Sequence, residues 1–343
     1  MNLLIGSYSY YPNIGGLERI TNMMAHAFQK QGHAVRIVTQ THGRAGADDA
    51  ADIPVVRRPS IPAFLDCCRW ADLLWHNNLS LRFGLPFLLT RKPQIITTQT
   101  FYGGEPAYED WVFKCKRRFI KRFPHVILCS EMKRQFPDGV VIPNPFETSM
   151  FSQATRPVRD RWFVFVGRLV SDKGVDDLLQ AVASLRERGV LAPVTIIGEG
   201  PEELKLRGFV ERVQLQSLIH FTGALQGQAL AHEISRHRCL VVPSRWREPY
   251  GIVALEGLAC GCWVIGSAGG GLPEAIGPGG WTYPNGDCEA LAGLLQRFIE
   301  TGENLSLETR GQISLHLNQR TVEHIAELYL GVFNREILRA QGR

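Results

Sequence analysis

Two glutamates eight residues apart, Glu248 and Glu256, bracket a Pro-Tyr-Gly corner in SRWREPYGIVALEGLACG, residues 244–261. Pro249 and Gly251 read as a loop that ends at a helix start, so Glu248 precedes the helix and Glu256 lies inside it. The first-turn amides of a helix lack intrahelical partners, and its dipole favours an anion there. A phosphate could sit at Tyr250, Gly251 and Ile252, with one acid to either side. Glu256 shares a face with Ile252 inside an apolar run, where an unpaired carboxylate would be costly. Ribose hydroxyls could pair with it, while Glu248 could reach past the phosphates. The rival reading has Glu248 capping or salt-bridging its loop and Glu256 exposed.

In FVGRLVSDKG a strand ends at Gly167, Arg168 follows, and Lys173 comes five residues later beside Gly174. Cations at the C-terminal end of a strand are placed to neutralise a diphosphate and to stabilise its departure. A solvated surface loop is the alternative. Gly15-Gly16 in PNIGGLER, Gly198 and Gly200 in IIGEGPE, and the three glycines of SAGGGLPE each follow a strand. Glycine lets backbone approach a ligand closely, or simply makes a tight turn. Neither G-x-G-x-x-G nor G-x-x-x-x-G-K-[ST] occurs at these turns, which argues against a dehydrogenase. The run WVFKCKRRFIKRF, 111–123, interleaves Lys114, Lys116, Arg117, Arg118, Lys121 and Arg122 with apolar residues. Val112, Cys115, Phe119 and Phe123 can share one helical face. Such a helix can rest on an anionic membrane, bind RNA, or pack on its own domain. His76 ends the strand LLWH at a position expected to face a ligand, although a single histidine is more often structural.

These groups need strands and helices to hold them, and the chain supplies alternation twice over. LLIGS, AVRIVT, IPVV, LLWH, QIITT, HVILCS and VVIP read as strands, with helical periodicity over 17–31 and about 107–123. The rhythm restarts with WFVFVG, VTIIG, IHFTG, CLVVPS and WVIGS, separated by helical patterns near 174–187, 201–213, 227–235, 251–259 and 287–300. This predicts two α/β domains with parallel sheets, 1–150 and 151–320, joined through the Pro/Ser/Thr-rich stretch 143–160. A terminal amphipathic helix lies in 321–343, and periodicity does not say which domain receives it. Open α/β sheets bind ligands beyond their C-terminal strand ends, so two facing domains would enclose a cleft for two substrates.

The 343 residues suit two domains, and 45% hydrophobic content suits a sizeable core. The net charge of +5 is uneven: residues 1–150 hold 18 Lys and Arg against 12 Asp and Glu, the remainder 20 against 21. The positive excess lies wholly in the first half, which suits an anionic partner or solubility alone. The opening MNLLIGSYSYYPNIGG does not read as a signal peptide, and no window is long and apolar enough to span a membrane. Several of the eight cysteines sit in apolar runs, as expected of small hydrophobes in a reducing cytoplasm. No histidine falls at ligand spacing near the C-x-C, so no metal site is expected.

Taken in order, YPNIGGLER, QGHAVRIVT, VVIPNPFETSMF, FVGRLVSDKGVDDLLQA, VTIIGEGP, IHFTG, PSRWREPYGIVALEGLACGCWVIGS and GGGLPEAI resemble the retaining nucleotide-sugar glycosyltransferases of family 4. The resemblance covers nearly the whole chain. It implies the GT-B fold, two Rossmann-like domains with parallel sheets facing across a cleft. It implies retaining transfer of a sugar from a nucleotide-diphosphate donor to an acceptor hydroxyl, with no metal or other cofactor. The acceptor could be a saccharide, a lipid-linked glycan or a small metabolite, used in the cytoplasm or at the cytoplasmic membrane face. By resemblance, Gly15 and Gly16 would close over the donor phosphates, and Arg168 and Lys173 would hold the diphosphate and assist its departure. Glu248 would meet the donor sugar, Glu256 the ribose, Gly198 and Gly200 the base, and the backbone at Tyr250, Gly251 and Ile252 the sugar and phosphate.

One departure stands out. Many members of that family carry a histidine in the N-terminal domain near the reacting carbon. After QIITT this sequence has Gln99, Thr100, Phe101 and Tyr102. Gln99, Thr100, Tyr102 and His76 are therefore acceptor-side candidates without an assigned catalytic role. Three other readings remain: a nucleotide-sugar 2-epimerase, a non-catalytic nucleotide-sugar binder, and an anionic-surface binder led by 111–123. Nucleic acid is a less expected partner.

Overall fold

The computed structural model describes residues 1–13, 15–43, 52–80, 90–102, 111–151, 158–301 and 306–342, with no side chains described at 111–113. Ile14 of the PNIGGLER turn, residues 107–110 of the second helical pattern and 152–157 of the expected linker lie outside the described residues. The chain forms two compact units, Met1–Pro145 with Val322–Arg343, and Phe146–Thr321.

The first unit holds strands β1 (Asn2–Gly6), β2 (Ala34–Thr39), β3 (Val55–Arg57), β4 (Leu73–Asn77), β5 (Gln94–Thr98), β6 (His125–Ile127) and β7 (Val140–Val141). They pair in the order β3-β2-β1-β4-β5-β6-β7, all parallel. Leu3, Leu4, Ile5, Ile37, Leu73, Leu74 and Trp75 are fully buried. Strands covered on both faces read as continuous apolar runs, which is why they show in the sequence. Helix α1 (Gly16–Lys30) buries Ile20, Met24, Ala27 and Phe28. Helix α2 (Ile61–Trp70) was not expected. Ser60 caps it, accepting from Ala63 N at 3.5 Å, and Phe64, Cys67 and Cys68 fill its core face. Helix α3 (Trp111–Ile120) comes next.

The second unit begins with the single turn α4 (Thr148–Phe151). Its strands are β8 (Arg161–Val166), β9 (Val194–Ile197), β10 (Ile219–Gly223), β11 (His237–Val242), β12 (Trp263–Ser267) and β13 (Gly280–Tyr283). They pair in the order β10-β9-β8-β11-β12-β13, again all parallel. Helices α5 (Val175–Glu187), α6 (Glu203–Arg212), α7 (Gly227–Ser235), α8 (Ile252–Ala259), α9 (Leu272–Ile276), α10 (Cys288–Thr301) and α11 (Leu307–Asn318) connect or follow them. The core gathers Phe163, Leu178, Leu179, Val182, Ile196, Cys239, Leu295 and Phe298. Strand β13 and helices α9 and α11 were not expected from the sequence.

The last helix, α12 (Val322–Gln341), belongs to the first unit. Its Tyr329 and Phe333 pack with Phe28 and Trp75, ring centroids 5.1 to 6.5 Å apart. Tyr329 OH and Thr97 Oγ1 lie 3.0 Å apart, and Thr97 Oγ1 accepts from Trp75 Nε1 at 2.8 Å.

Each sheet is doubly wound and reverses direction once, between β1 and β4 in the first unit and between β8 and β11 in the second. In open α/β sheets that switch point, beyond the C-terminal strand ends, is where ligands bind.

Candidate functional site

At the switch point of the second unit, Arg168 comes just after β8 and is exposed. Among the described residues its guanidinium has no hydrogen bond or ion pair. Lys173 ends a short 3-10 turn, Ser171–Lys173. Its Nζ lies 2.5 Å from Glu248 Oε1. Glu248 lies beyond the adjacent strand β11 and is 8% exposed. Ser244 Oγ donates to the same Oε1 at 2.6 Å, and Gly271 N donates to Glu248 O at 2.7 Å. No other residue among those described bonds the carboxylate, so Oε2 is open to a hydroxyl donor.

Chain rigidity around these groups comes from charge pairing beside them. Arg245 Nε donates to Asp177 Oδ2 at 2.8 Å, and its Nη1 lies 2.9 Å from Asp176 Oδ2. The Asp177 hydrogen bonds push the Arg245 guanidinium still higher than its ordinary value. Arg245 N and Trp246 N both donate to Asp172 O, at 2.9 and 3.3 Å. Asn285 Nδ2 donates to Ser244 O at 3.1 Å and Arg245 O at 3.2 Å.

Past the corner, Tyr250 is buried and its OH accepts from Arg320 Nε at 2.6 Å. Gly251 is the N-cap of α8 with φ 94°, left-handed backbone that glycine tolerates, and no side chain caps that helix. A Cβ there would also lie 2.6 Å from Leu272 Cδ1. Ile252 opens the helix, half-buried. Glu256 is 4% exposed, which corrects the reading that left it in solvent. Gly198 and Gly200 line the end of β9, where a Cβ would sit 1.8 Å from Gly167 O and 2.3 Å from Leu169 O. Backbone crowding against the Arg168 loop thus accounts for both glycines without a ligand.

At the first unit's switch point a network of neutral side chains lies beside the carboxylate of Glu18. Gln99 Nε2 donates to Asn77 Oδ1 at 2.8 Å and Asn144 Oδ1 at 3.2 Å, and Asn144 Nδ2 donates to Gln99 Oε1 at 2.8 Å. Asn77 Nδ2 continues the chain to Thr21 Oγ1 at 2.8 Å, which lies 3.2 Å from Ser7 Oγ. Both amide hydrogens of Gln99 are committed, and an amide neither gives nor takes a proton in this range. Asn77, Asn144, Ser7 and Thr21 were missed in the sequence, as were Ser244, Arg320 and Glu18. The buried Glu18 brings its carboxylate over Gly15, where a Cβ would meet Glu18 Oε2 at 2.6 Å. Gly15 caps α1 in extended backbone, so a side chain there would need only the Glu18 carboxylate to move aside. Gly16 is exposed.

Three expected acceptor-side residues behave differently. His76 is 1% exposed rather than facing a ligand, and its Nε2 lies 3.2 Å from Gln94 Oε1. Burial pushes its imidazole down to about 4, so it stays neutral. Tyr102 is 2% exposed, set edge-on to Phe136 at 6.0 Å, and burial raises its hydroxyl pKa. Thr100 is half-buried, its Oγ1 donating to Phe101 O at 3.4 Å. In the basic helix, Lys114, Arg118, Lys121 and Arg122 are exposed and Arg117 is half-buried. Lys116 instead covers the Tyr102 ring at 4.7 Å, and burial lowers its ammonium pKa. Cys115, expected on the packed face, is exposed, while Ile120 is buried. Val112 has no described side chain. Among the described residues, no three His, Cys, Asp or Glu gather as a metal site, and no helix is long and apolar enough to cross a membrane.

Residues 14–148 match the family model Glycosyltransferase Family 4, and residues 147–312 match Glycosyl transferases group 1. Glycogen synthase of Mycobacterium tuberculosis is 29% identical over 358 aligned positions, covering 88% of this chain and 86% of that protein. The putative colanic acid biosynthesis glycosyltransferase WcaL of Salmonella typhimurium is 27% identical over 170, covering 46% of this chain and 42% of that protein. The structure of Anabaena HepE in complex with UDP superposes with a TM-score of 0.83 at 17% identity, over 98% of this chain and 100% of that one. A Rickettsia africae glycosyltransferase superposes at 0.81 and 17% identity, over 98% of both chains. With two consecutive family models spanning 14–312 and one fold shared along nearly the whole chain, this is a GT-B-fold protein of the family 4 and group 1 glycosyltransferases.

Proposed function

We propose that the protein transfers a sugar from a nucleoside-diphosphate carrier to an acceptor hydroxyl with retention of anomeric configuration. The carrying observation is the switch point of the second unit. Arg168 is exposed and unpaired among the described residues, Lys173 is paired with Glu248, and α8 starts uncapped at Gly251. As the bond from the anomeric carbon to the diphosphate breaks, negative charge grows on the departing oxygen. Arg168, Lys173 and the first amides of α8 stabilise that charge without a metal. An ammonium has three N–H donors, so Lys173 can keep Glu248 while donating to phosphate. Glu248 Oε2 takes a hydroxyl of the transferred sugar, and Glu256 takes the ribose. UDP, named for the Anabaena relative, is one candidate carrier.

The acceptor hydroxyl belongs to a saccharide, a lipid-linked glycan or a small metabolite. A depression of about 430 Å³ beyond β1 and β2 is lined by Tyr8, Ser9, Asn13, Gln40, Thr41 and His42, with Pro12 and Gly43. Those side chains donate and accept hydrogen bonds, and Arg58 Nη1 lies 2.7 Å from His42 Nε2 there. Gln99 and Thr100 complete the acceptor side, with His76 and Tyr102 as its buried support, while the Gly15-Gly16 turn is assigned to the donor phosphates. The free thiols of the eight cysteines suit a reducing cytoplasm. The exposed Lys114, Arg118, Lys121 and Arg122 give α3 and its C-terminal flank an anionic membrane face.

Saturable turnover in a screen of UDP-, GDP- and ADP-sugars with saccharide, lipid-linked glycan and small-metabolite acceptors tests the reading, with NMR of the product anomer testing retention. Sugar isomerised without any acceptor would favour the 2-epimerase. Nucleotide binding with no turnover would favour the non-catalytic binder. Cosedimentation with phosphatidylglycerol vesicles but not phosphatidylcholine vesicles tests the membrane face.

A further inference from the structure

Helix α11 has no buried residue, and Leu307 and Leu315 stand exposed on it. Apolar packing is limited to the half-buried Ile313 and Leu317. Two polar side chains at its C-terminal end add specific ties. His316 Nε2 lies 2.8 Å from Ala275 O in α9, and Arg320 Nε donates to Tyr250 OH at 2.6 Å. Arg320 Nη1 also donates to His316 O at 2.8 Å, tying the two together. The His316 ring lies against Gly277, where a Cβ would meet its Cε1 at 2.4 Å.

Both contacts end on Gly251. Tyr250 is its chain neighbour, and α9 carries Leu272, whose Cδ1 crowds the space a Gly251 Cβ would fill. Gly251, the N-cap of α8 at φ 94°, is thus held between Tyr250 along the chain and Leu272 across from it. Tyr250 is 1% exposed, so its hydroxyl needs a partner. Arg320 is itself anchored, since its carbonyl accepts from Phe146 N at 3.2 Å and Thr321 pairs with Phe146.

We infer that Arg320 is a positioning residue for nucleotide-sugar binding: through the Tyr250 hydroxyl it sets Gly251, and His316 sets the opposite wall through Ala275. The inference rests on reading the 248–256 segment as the donor site. Tyr250→Phe keeps the ring and removes the hydroxyl that Arg320 meets.

The test uses the full-length protein and calorimetric titration with UDP, GDP and ADP separately. Tyr250→Phe and Arg320→Met should each weaken binding of the preferred diphosphate by about tenfold, with the double variant no worse than the weaker single. Donor KM should rise and kcat fall, since the first amides of α8 hold both the bound and the departing phosphate, while acceptor KM stays put, and Arg320→Lys should recover part of the loss. A fall in thermal midpoint with unchanged affinity, or losses that simply multiply, would overturn the positioning role. A wild-type protein that binds none of the three diphosphates would overturn the donor-site reading, and this inference with it.

Discussion

At the switch point of the first unit, Ser7, Thr21, Asn77, Gln99 and Asn144 form a continuous chain of neutral hydrogen bonds. At the same place in the second unit, Lys173 meets Glu248, Arg245 meets Asp176 and Asp177, and Arg168 stands alone among the described residues. The strand orders are alike and the chemistry is not. A neutral network fixes side chains at little electrostatic cost and reads hydroxyl groups. A charged one is built for an anion, with its own carboxylates holding the cations in place until the anion arrives. One topology thus carries two different sets of side chains at its switch point.

The largest test of that contrast is Arg168→Ala. The side chain is exposed and unpaired, so stability should move by no more than about 0.5 kcal/mol in urea titration. Turnover should fall by about 100- to 1000-fold, as for loss of a donor to developing charge. Normal turnover in this variant would sink the phosphate role and with it the contrast.

Next comes pH. Each sheet buries a neutral histidine: His76 and His237 are both pushed down to about 4 by burial. Between about pH 4 and 6.5 the unfolded chain holds a proton on each ring that the folded chain refuses. Their contribution is complete above pH 6.5 and lost as pH falls toward 4, by roughly 3 kcal/mol per histidine at most. His76→Asn should flatten the acid limb of the first unit's unfolding and leave the second's, followed by hydrogen exchange resolved by unit. An unchanged limb would contradict the buried neutral state.

Asn77→Leu probes the neutral network. It leaves Gln99 and Thr21 short of a partner and should cost about 1–3 kcal/mol in denaturant, with nucleotide affinity unchanged. Coupled loss of affinity would mean that the two switch points do not act separately. The smallest effect belongs to Glu18→Gln. If phosphate rests at Gly15-Gly16, removing the carboxylate beside it should tighten diphosphate binding a few-fold, about 0.3–1 kcal/mol. No change would place the phosphate away from that turn.

The parallel α/β pattern was legible because buried strands such as LLIG and CLVV are unbroken apolar runs. Elements without that signature were hidden. Helix α11 has no apolar stripe to detect, and β13 is four residues long and opens on a glycine. The packed face of α3 was misjudged because an aromatic ring across the fold, Tyr102, draws in Lys116 and leaves Cys115 outside. Lysine methylenes pack as readily as a thiol when a ring lies opposite. His76 was misplaced for a related reason: alternation tells which residues share a face, not whether that face is covered.

By itself the sequence determined two parallel α/β sheets, the helix start at Gly251 with an acid before it and another within, and the cations just past β8. These are local facts, written in apolar runs, turn glycines and spacing along one segment. Only the tertiary structure decided that Lys173 pairs with Glu248 across 75 residues, that Gln99 is bound between Asn77 and Asn144, that Arg320 holds Tyr250, and that α12 joins the first unit. Those partners are chosen by where strands end in a folded sheet, and side chains distant along the chain meet only after the backbone has brought them there.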